Sequence, residues 1–411
     1  MLSWYHCQID VKAAYLYGSL KETVYLEQPK GFVQKGSENK VCLLNKAIYG
    51  LHQSGREWNS ELDQILTEIG FKKLNWSNCV YHKDFNVVLV VYVDDCVIFG
   101  KTKTLLDNVI YSISQKLEIT ILGKIKYLLG VNFETIGNQV YVHQKTYIER
   151  LMLKFSKLPK SVVKLPFKVA SILPLKINER EIEENDLMRQ FPYRSMIGCL
   201  SFLANRSRPD ISLAVNIMSQ FNNGYSFQHW KYVVDIMNYV FLTKDYMINI
   251  SDVKNFDLIA YSDADWGSSH TNRHSSSGYL IYFGGIPISW KSSKQKCIAL
   301  SSMESEFISL TECVKETLWY SRVLNELYLC DRIKPCIFCD NQSAIFFLNN
   351  NQENVRTKHI DIKYQFIRKL FNDNLFEIKY ISSKKNYSDF LTKPLLQNKF
   401  DEIVKQIFTV L

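Results

Sequence analysis

The chain has 411 residues, with 50 Lys and Arg against 41 Asp and Glu and a formal net charge of +9. That length exceeds one small core and predicts two or three domains. The charge fits an enzyme that grips a polyanion while holding cations, and it fits a soluble protein without nucleic acid equally well.

Ten cysteines are scattered along the chain, several of them (Cys96, Cys297, Cys313) inside apolar runs. Buried thiols of that kind point to a reducing, intracellular setting. The opening "MLSWYHCQID" has no basic stretch followed by an apolar one, so it is not read as a signal peptide. Residues 87–99 are apolar, but the run is shorter than a spanning helix and is broken by two acids. No membrane association is expected.

"YHCQIDVKAAYLYG" predicts a short strand ending near Asp10. "REWNSELDQILTEIGF" sets Trp58, Leu62, Ile65 and Ile69 on one helical face, closed by Gly70. Next comes "VVYVDDCVIF", which carries Asp94 and Asp95 in the middle of an apolar run. Unpaired carboxylates are costly to bury, so a strand pair turned at that point is expected, with the acids projecting into a cleft. An ordinary Asp-rich turn explains this stretch by itself as well. "LLDNVIYSISQKL" then follows as a helix with Leu106, Val109, Ile110, Ile113 and Leu117 inward. Strand, helix, hairpin and helix make an α+β layer.

Residues 156–190 carry Pro159, Pro166, Pro174 and a polar run, and read as a connector. Residues 193–245 read as mostly helical. From about 256, "LIAYSD" is a strand, and "GYLIYF" with "IPISWKS" forms a hairpin around Gly284 and Gly285. A long helix is expected from about Ser302 to Tyr328, with Phe307, Leu310, Val314, Leu318 and Leu324 at helical spacing. Strand "PCIFCD", helix "NQSAIFFLN", basic helix "HIDIKYQFIRKLF", strand "FEIKYI" and helix "NYSDFLTK" complete the pattern. The sum is a mixed five-stranded sheet with helices packed on it. Cys336 and Cys339 lack a second pair at zinc spacing and read as strand residues. His270 and His274 read as part of a polar loop.

Asp263 closes the first of these strands and Asp340 the fourth, while Glu306 lies early in the long helix and Asp389 in the last helix. If the first and fourth strands are adjacent and parallel, both aspartates emerge at one sheet edge. Four gathered carboxylates repel one another unless they hold hard cations such as Mg²⁺. Two ions about 3.5–4 Å apart would activate a water and stabilise the leaving oxygen of a phosphodiester. Any one strand-end Asp is more simply a helix cap; four in this arrangement favour a site.

The segments "YSDADWG", "SSMESEF", "CDNQSA", "TKHIDIKYQF" and "NYSDFLTKP" strongly resemble the ribonuclease H domain of copia-type LTR retrotransposon polyproteins. "QIDVKAAYLYG", "EQPKGF", "KAIYGLHQSGREW", "YVDD" and "LGKIKYLLGVNF" resemble the matching reverse transcriptase. "YRSMIGCLSFLANRSRPDISLAVNIMSQF" resembles the family's connecting segment, so the likeness runs through nearly the whole chain in order.

The resemblance implies an α+β and α/β multidomain chain. Its parts would be a reverse transcriptase palm at 1–135, a thumb or connection segment at 136–255, a ribonuclease H domain at 256–395 and a tail at 396–411. It implies an RNA-directed DNA polymerase with ribonuclease H activity, using two Mg²⁺ per active site, with Mn²⁺ able to substitute. Asp10, Asp94 and Asp95 match the polymerase metal ligands; Asp263, Glu306, Asp340 and Asp389 match those of the ribonuclease. Glu304 is the weaker candidate beside Glu306.

Tyr15 matches the aromatic that packs on the nucleotide sugar, although an ordinary core aromatic would look the same. Tyr49, Gly50 and Val93 stand in the nucleotide-binding segments. The basic helix, through Lys358, His359, Lys363, Arg368 and Lys369, either contacts phosphates or is simply solvated.

Implied partners are an RNA template, a DNA primer, an RNA–DNA hybrid, deoxynucleoside triphosphates and other parts of the polyprotein such as integrase. The implied location is the cytoplasm, in a virus-like particle, with the nucleus as a second site. His52 and Gly55 replace the usual Lys and Pro, and Tyr15 and Tyr17 the usual Phe and Asn. The chain begins a few residues before Asp10, so the fingers are expected to be missing. The alternative is a remnant that keeps ribonuclease H or nucleic-acid binding without polymerisation.

Overall fold

The computed structural model describes residues 4–168, 191–269, 273–327, 333–349 and 361–410, with 361–363 described by backbone alone. Most of the expected connector, together with His270, Lys358 and His359, lies outside the described residues. The chain divides into two compact units, Met1–Lys126 with Glu326–Leu329, and Tyr127–Asn325 with Cys330–Leu411.

In the first unit the elements are β1 (Tyr5–Val11), β2 (Tyr25–Glu27), β3 (Val41–Leu43), α1 (Ser54–Glu68), β4 (Lys72–Leu74) and β5 (Ser77–Lys83). β6 (Val87–Tyr92), β7 (Asp95–Gly100), α2 (Lys103–Ser114) and β8 (Ile119–Gly123) follow. Six strands make an antiparallel sheet in the order β4-β5-β6-β7-β1-β8, and β2 pairs with β3 separately. The β-branched run of β6 suits a pleated, buried position. Trp58, Leu62 and Ile65 of α1 and Leu106, Val109, Ile110 and Ile113 of α2 share one core with Ile9, Leu89 and Ile98 of the sheet. β1 thus lies in the sheet interior beside β7, which places the end of one strand against the turn of the hairpin.

The second unit opens with β9 (Tyr127–Leu128), β10 (Val131–Ile136), β11 (Gln139–His143) and α3 (Lys145–Lys154). Next come α4 (Tyr193–Ala204), α5 (Ser212–Ser219), α6 (Phe227–Leu242) and β12 (Ile248–Asn249). The helices occupy the expected stretch, but a small antiparallel sheet in the order β12-β11-β10-β9 accompanies them. Arg208, next to α5, is buried against Asp210 at 2.7 Å, and Tyr239 also donates its hydroxyl to Asp210.

β13 (Leu258–Asp265), β14 (Ser276–Phe283), β15 (Ile286–Lys294), α7 (Ser302–Glu326), β16 (Cys336–Cys339), α8 (Gln342–Asn349), α9 (Asp361–Asn372), β17 (Glu377–Tyr380) and α10 (Gln397–Ile407) complete the unit. The sheet order is β15-β14-β13-β16-β17, with β13, β16 and β17 parallel and β14 and β15 antiparallel to their neighbours.

Alternation along β14 sends Tyr279 and Ile281 into a core with Phe307, Leu310 and Val314 of α7. Leu280 and Tyr282 enter the other core, shared with α4, α5, α6 and α10. Both faces of this sheet are therefore covered.

Two segments depart from expectation. Residues 396–411, read as a tail, contain α10, which buries Phe400, Ile403, Val404 and Ile407. The helix expected at "NYSDFLTK" is a short 3₁₀ turn, Asp389–Leu391. Asn386 Oδ1 accepts bonds from the backbone N–H and the hydroxyl of Ser388, and such local side-chain bonding competes with a helix start. Among the described residues no helix is long and apolar enough to cross a membrane.

Candidate active sites

In the first unit, the hairpin between β6 and β7 turns at Val93 and Asp94, and Val93 adopts a left-handed φ of 57°. Two bonds hold this uncommon conformation. The Trp58 indole N–H donates to the Val93 carbonyl at 3.1 Å, and the Val11 N–H donates to the Asp94 carbonyl at 2.9 Å. Asp10 lies directly opposite Asp95 in the β1–β7 register. The Gln8 amide donates to Asp95 at 3.2 Å.

The Tyr49 hydroxyl donates to Asp94 Oδ2 at 2.7 Å, whereas Asp94 Oδ1 is buried without a hydrogen-bond partner. Tyr15 packs its ring 4.5 Å from that of Tyr49. Gly50 has a φ of +105° and open space around it, so its backbone, rather than packing, asks for glycine.

Partial burial, then the nearby Asp94 and Asp95, raise the Asp10 carboxyl above its ordinary range. Burial, then the bond to Asp94, pushes the Tyr49 phenol up to about 12. These three carboxylates share a surface but do not all close within 4.8 Å of one another.

In the second unit the convergence is tighter. β13 and β16 pair in parallel with Ser262 opposite Cys339, so Asp263 and Asp340 are the next residues at the same sheet edge. Oxygens of Asp263, Asp340 and Asp389 lie within 4.8 Å of one another; so do ligand atoms of Glu306, Cys339 and Asp340. Asp340 belongs to both groups and links them.

The Ser309 hydroxyl donates to the Asp263 carbonyl at 2.7 Å and pins α7 to the strand end, which brings Glu306 over the edge. Glu304 is used differently. Its carboxylate accepts the Leu300 N–H at 2.7 Å and its own N–H donates to Ser301, so it secures the helix start.

Asp389 is delivered by its 3₁₀ turn. The Asn386 amide donates to the Ser262 carbonyl at 2.9 Å, and the turn packs on Gly278. A Cβ at Gly278 would lie 2.8 Å from Leu391 Cβ and 2.7 Å from Thr392 Cγ2, so only glycine admits this approach.

Asp263, Glu306 and Asp389 are buried. Burial, opposed by Lys393, pushes the Asp263 carboxyl up. Burial and then Asp263 and Asp340 push Glu306 well above the carboxylate range. Glu306 Oε2 and Asp340 Oδ1 are buried with no hydrogen-bond partner. Such orphaned oxygens, in an all-carboxylate donor set, fit a hard divalent cation. Burial raises the Cys339 thiol well above its usual value, and as a soft sulfur donor it suits a hard cation less well than the carboxylates do.

Residues 2–168 match the family model described as reverse transcriptase (RNA-dependent DNA polymerase). Over 406 residues the chain is 36% identical to the retrovirus-related Pol polyprotein from transposon TNT 1-94 of Nicotiana tabacum, a match covering 97% of this chain and 30% of that polyprotein. It is 34% identical over 408 residues to the Pol polyprotein from transposon RE1 of Arabidopsis thaliana, covering 98% and 27%. The chain is related to the Pol polyproteins of copia-type retrotransposons.

This Pol-related chain spans less than a third of the length of those curated relatives. It is also 28% identical over 313 residues to a putative transposon Ty5-1 protein of Saccharomyces cerevisiae, covering 75% of this chain and all of that protein. The solved structure of LC11-RNase H1 aligns with 36% of the chain and 98% of its own, at 14% identity and a TM-score of 0.27. That likeness is too slight to add to the strand order described above.

Sequence reasoning missed three residues of the Pol-related site. The Thr392 hydroxyl bonds Asp263, Lys393 pairs with Asp389 at 3.0 Å, and Lys399 also binds Asp389. Lys393 follows Asp389 by four positions in the "DFLTKP" motif, a signal that could have been used. Lys399 has none, because residues 396–411 carry no motif that points to Asp389. Of the two alternatives open for the basic helix, phosphate contact or simple solvation, Arg368 fits neither. Arg368 is buried, stacks 3.9 Å over the Tyr364 ring and donates to the Phe347 carbonyl at 3.1 Å. Its α9 face packs on α8, while Lys369 is exposed. The Lys363 side chain lies outside the described residues.

Proposed function

We propose that the chain is the reverse transcriptase and ribonuclease H portion of a copia-type Pol polyprotein. It would act on RNA and RNA–DNA hybrids with bound divalent cations. The observation that carries this reading is the meeting of Asp263, Asp340 and Asp389 at one sheet edge beneath Glu306. Cations held there would lower the pKa of an attacking water and steady the leaving oxygen of a phosphodiester. The chain's own part is to present unpaired carboxylate oxygens on a rigid strand edge, with α7 closing over them. Asp10, Asp94 and Asp95 would hold the cations for nucleotide addition, with Tyr15, Tyr49, Gly50 and Val93 around the triphosphate.

A second reading, hybrid cleavage or nucleic-acid binding without polymerisation, is favoured by one specific feature. Tyr49 occupies an oxygen of Asp94, and the three polymerase carboxylates stay apart. The cysteines among the described residues are all free thiols, which supports an intracellular setting. The test is to give the full chain a labelled RNA–DNA hybrid and, separately, a primed RNA with deoxynucleoside triphosphates, each with Mg²⁺. The full reading expects both products. Cleavage without extension leaves the second reading standing, and neither product overturns both enzymatic assignments.

A further inference from the structure

The carboxylates of the second unit divide into two unlike halves. On one side, Glu306 is 7% exposed and its Oε2 has no partner, and neither has Asp340 Oδ1. On the other side, Asp389 is flanked by two ammonium groups, one hydrogen-bonded to Oδ2 and one paired by charge alone with Oδ1, which has no hydrogen-bond partner either. Lys393 Nζ lies 3.0 Å from Oδ1, and Lys399 Nζ binds Oδ2. Lys393 also stands 3.8 Å from Asp263 Oδ2, which receives the Thr392 hydroxyl too. Lys393 therefore stands between Asp263 and Asp389, and Lys399 covers the other oxygen of Asp389, so both ammonium groups occupy space that a cation held by these acids would share.

We propose that Lys393 and Lys399 are stand-in cations, so that a second divalent ion enters fully only when nucleic-acid phosphates draw those ammonium groups away. This rests on the metal-binding reading above and deepens it. The two lysines differ in origin but share a property. Lys393 leaves the Asp389 turn and Lys399 rises from the first turn of α10, where buried Phe400 anchors the helix. Their side chains are 37% and 30% exposed, so each ammonium can swing into water on its flexible stem without dragging the backbone.

A phosphodiester approaching the carboxylate edge must pass these two charges, and it satisfies them as they leave Asp389. The exchange keeps charge balanced: two positive charges leave the carboxylates, one divalent ion replaces them, and the ammoniums meet the backbone phosphates. Linkage then requires that the second cation and the nucleic acid strengthen each other's binding by the same factor.

The experiment uses the full chain carrying Asp94→Asn and Asp95→Asn to silence the other acidic site. Free Mn²⁺ is followed by electron paramagnetic resonance during titration, with no catalysis involved. Two unequal classes of site are expected. A Lys393→Met, Lys399→Met protein should bind the weaker class about tenfold more tightly. A 2′-O-methyl RNA–DNA hybrid, which resists cleavage, should tighten that class in the lysine protein and leave it unchanged in the Met protein.

Arginine at both positions keeps the charge and should behave as the lysine protein does, a control for folding. Should the Met pair unfold, Lys399→Met alone must give the same shift at smaller size. Two equal classes, or a weak class indifferent to these lysines, would overturn the inference while leaving the metal reading intact. No Mn²⁺ binding that Glu306→Gln or Asp340→Asn abolishes would overturn both.

Discussion

Asp10 and Asp95 face each other in register across two neighbouring antiparallel strands, with Asp94 in the turn one residue away. Carboxylates directly opposite in a ladder are destabilising unless something positive lies between them. Asp95→Asn removes that repulsion, so the metal-free protein should melt at the same temperature or slightly higher. It should at the same time lose any Mn²⁺-induced stabilisation that belongs to this unit, along with primer extension. Thermal melts with and without Mn²⁺, in an Asp340→Asn background that removes the other site's response, check both halves.

Asp340 is shared by the two ligand groups of the second unit, so its loss should be the most damaging single change there. Asp340→Asn should abolish hybrid cleavage and barely move the melting temperature, because the residue is half-buried and lies outside the apolar cores. Cleavage at an undiminished rate would remove Asp340 from the site.

The buried acids make the metal-free protein lose stability as pH rises toward neutral. Asp263 and Glu306 both have folded-state pKa values raised above their unfolded ones, with Asp263 pushed up to about 7. A group of that kind contributes stability that is fully present below the ordinary carboxylate pKa, about 4, and is lost as pH rises through the folded value. The melting temperature without metal should therefore fall between about pH 4 and 7 more steeply than in Asp263→Asn. Mg²⁺, which binds only the ionised acids, should raise it more at pH 8 than at pH 5. A Mg²⁺ effect independent of pH would contradict this.

Arg208 and Asp210 form an ion pair with side chains 1% and 0% exposed, completed by Thr243 and Tyr239. Removing one partner leaves an uncompensated buried charge, which costs about 3–5 kcal/mol. Asp210→Ala should then lower the denaturation midpoint strongly, and Asp210→Ala with Arg208→Met should recover part of the loss. Urea melts of the two variants and the parent protein measure it.

On α9, neighbouring basic residues should behave differently. Lys369→Glu should weaken hybrid binding and reduce its salt slope by about one unit if the exposed helix face meets phosphates. Arg368→Ala should instead lower stability and leave the slope unchanged, since that side chain is spent on Tyr364 and Phe347. Binding isotherms at several salt concentrations separate the two.

The strand edges were readable because each obeys a local rule. Asp263 and Asp340 close short apolar runs, and Asp94 and Asp95 interrupt one, so burial cost alone directs them to an edge or a turn. Arg368 was not readable in that way. Its charge argued for solvent, but on a helix it follows Tyr364 by four positions, and a long side chain can lay its stem and guanidinium over a buried ring. Lys399 reaches Asp389 only because α10 packs where it does, and no local pattern in the stretch between them announces it. The β9–β12 sheet escaped notice because β10 exposes Glu134, Thr135 and Ile136, which blurs the period of two. The turn at Asp389 looks helical in sequence because what shapes it lies beyond any local pattern: Asn386 bonds Ser388 and reaches a strand residue 124 positions earlier.

Leu280 and Tyr282 of the five-stranded sheet share a core with α4, α5, α6 and α10, and just beyond α10 Thr409 pairs with Met247 through two backbone bonds. The five-stranded sheet is thus not a detachable cassette. A cut near residue 250 would strip its outer face of α4, α5 and α6, and a cut near 396 would remove α10 together with Lys399. Recombination between elements of this kind should therefore leave viable hybrids only where the breakpoint spares everything from Tyr127 onward. The helices of 193–242 and the five-stranded sheet would then be inherited as a single block.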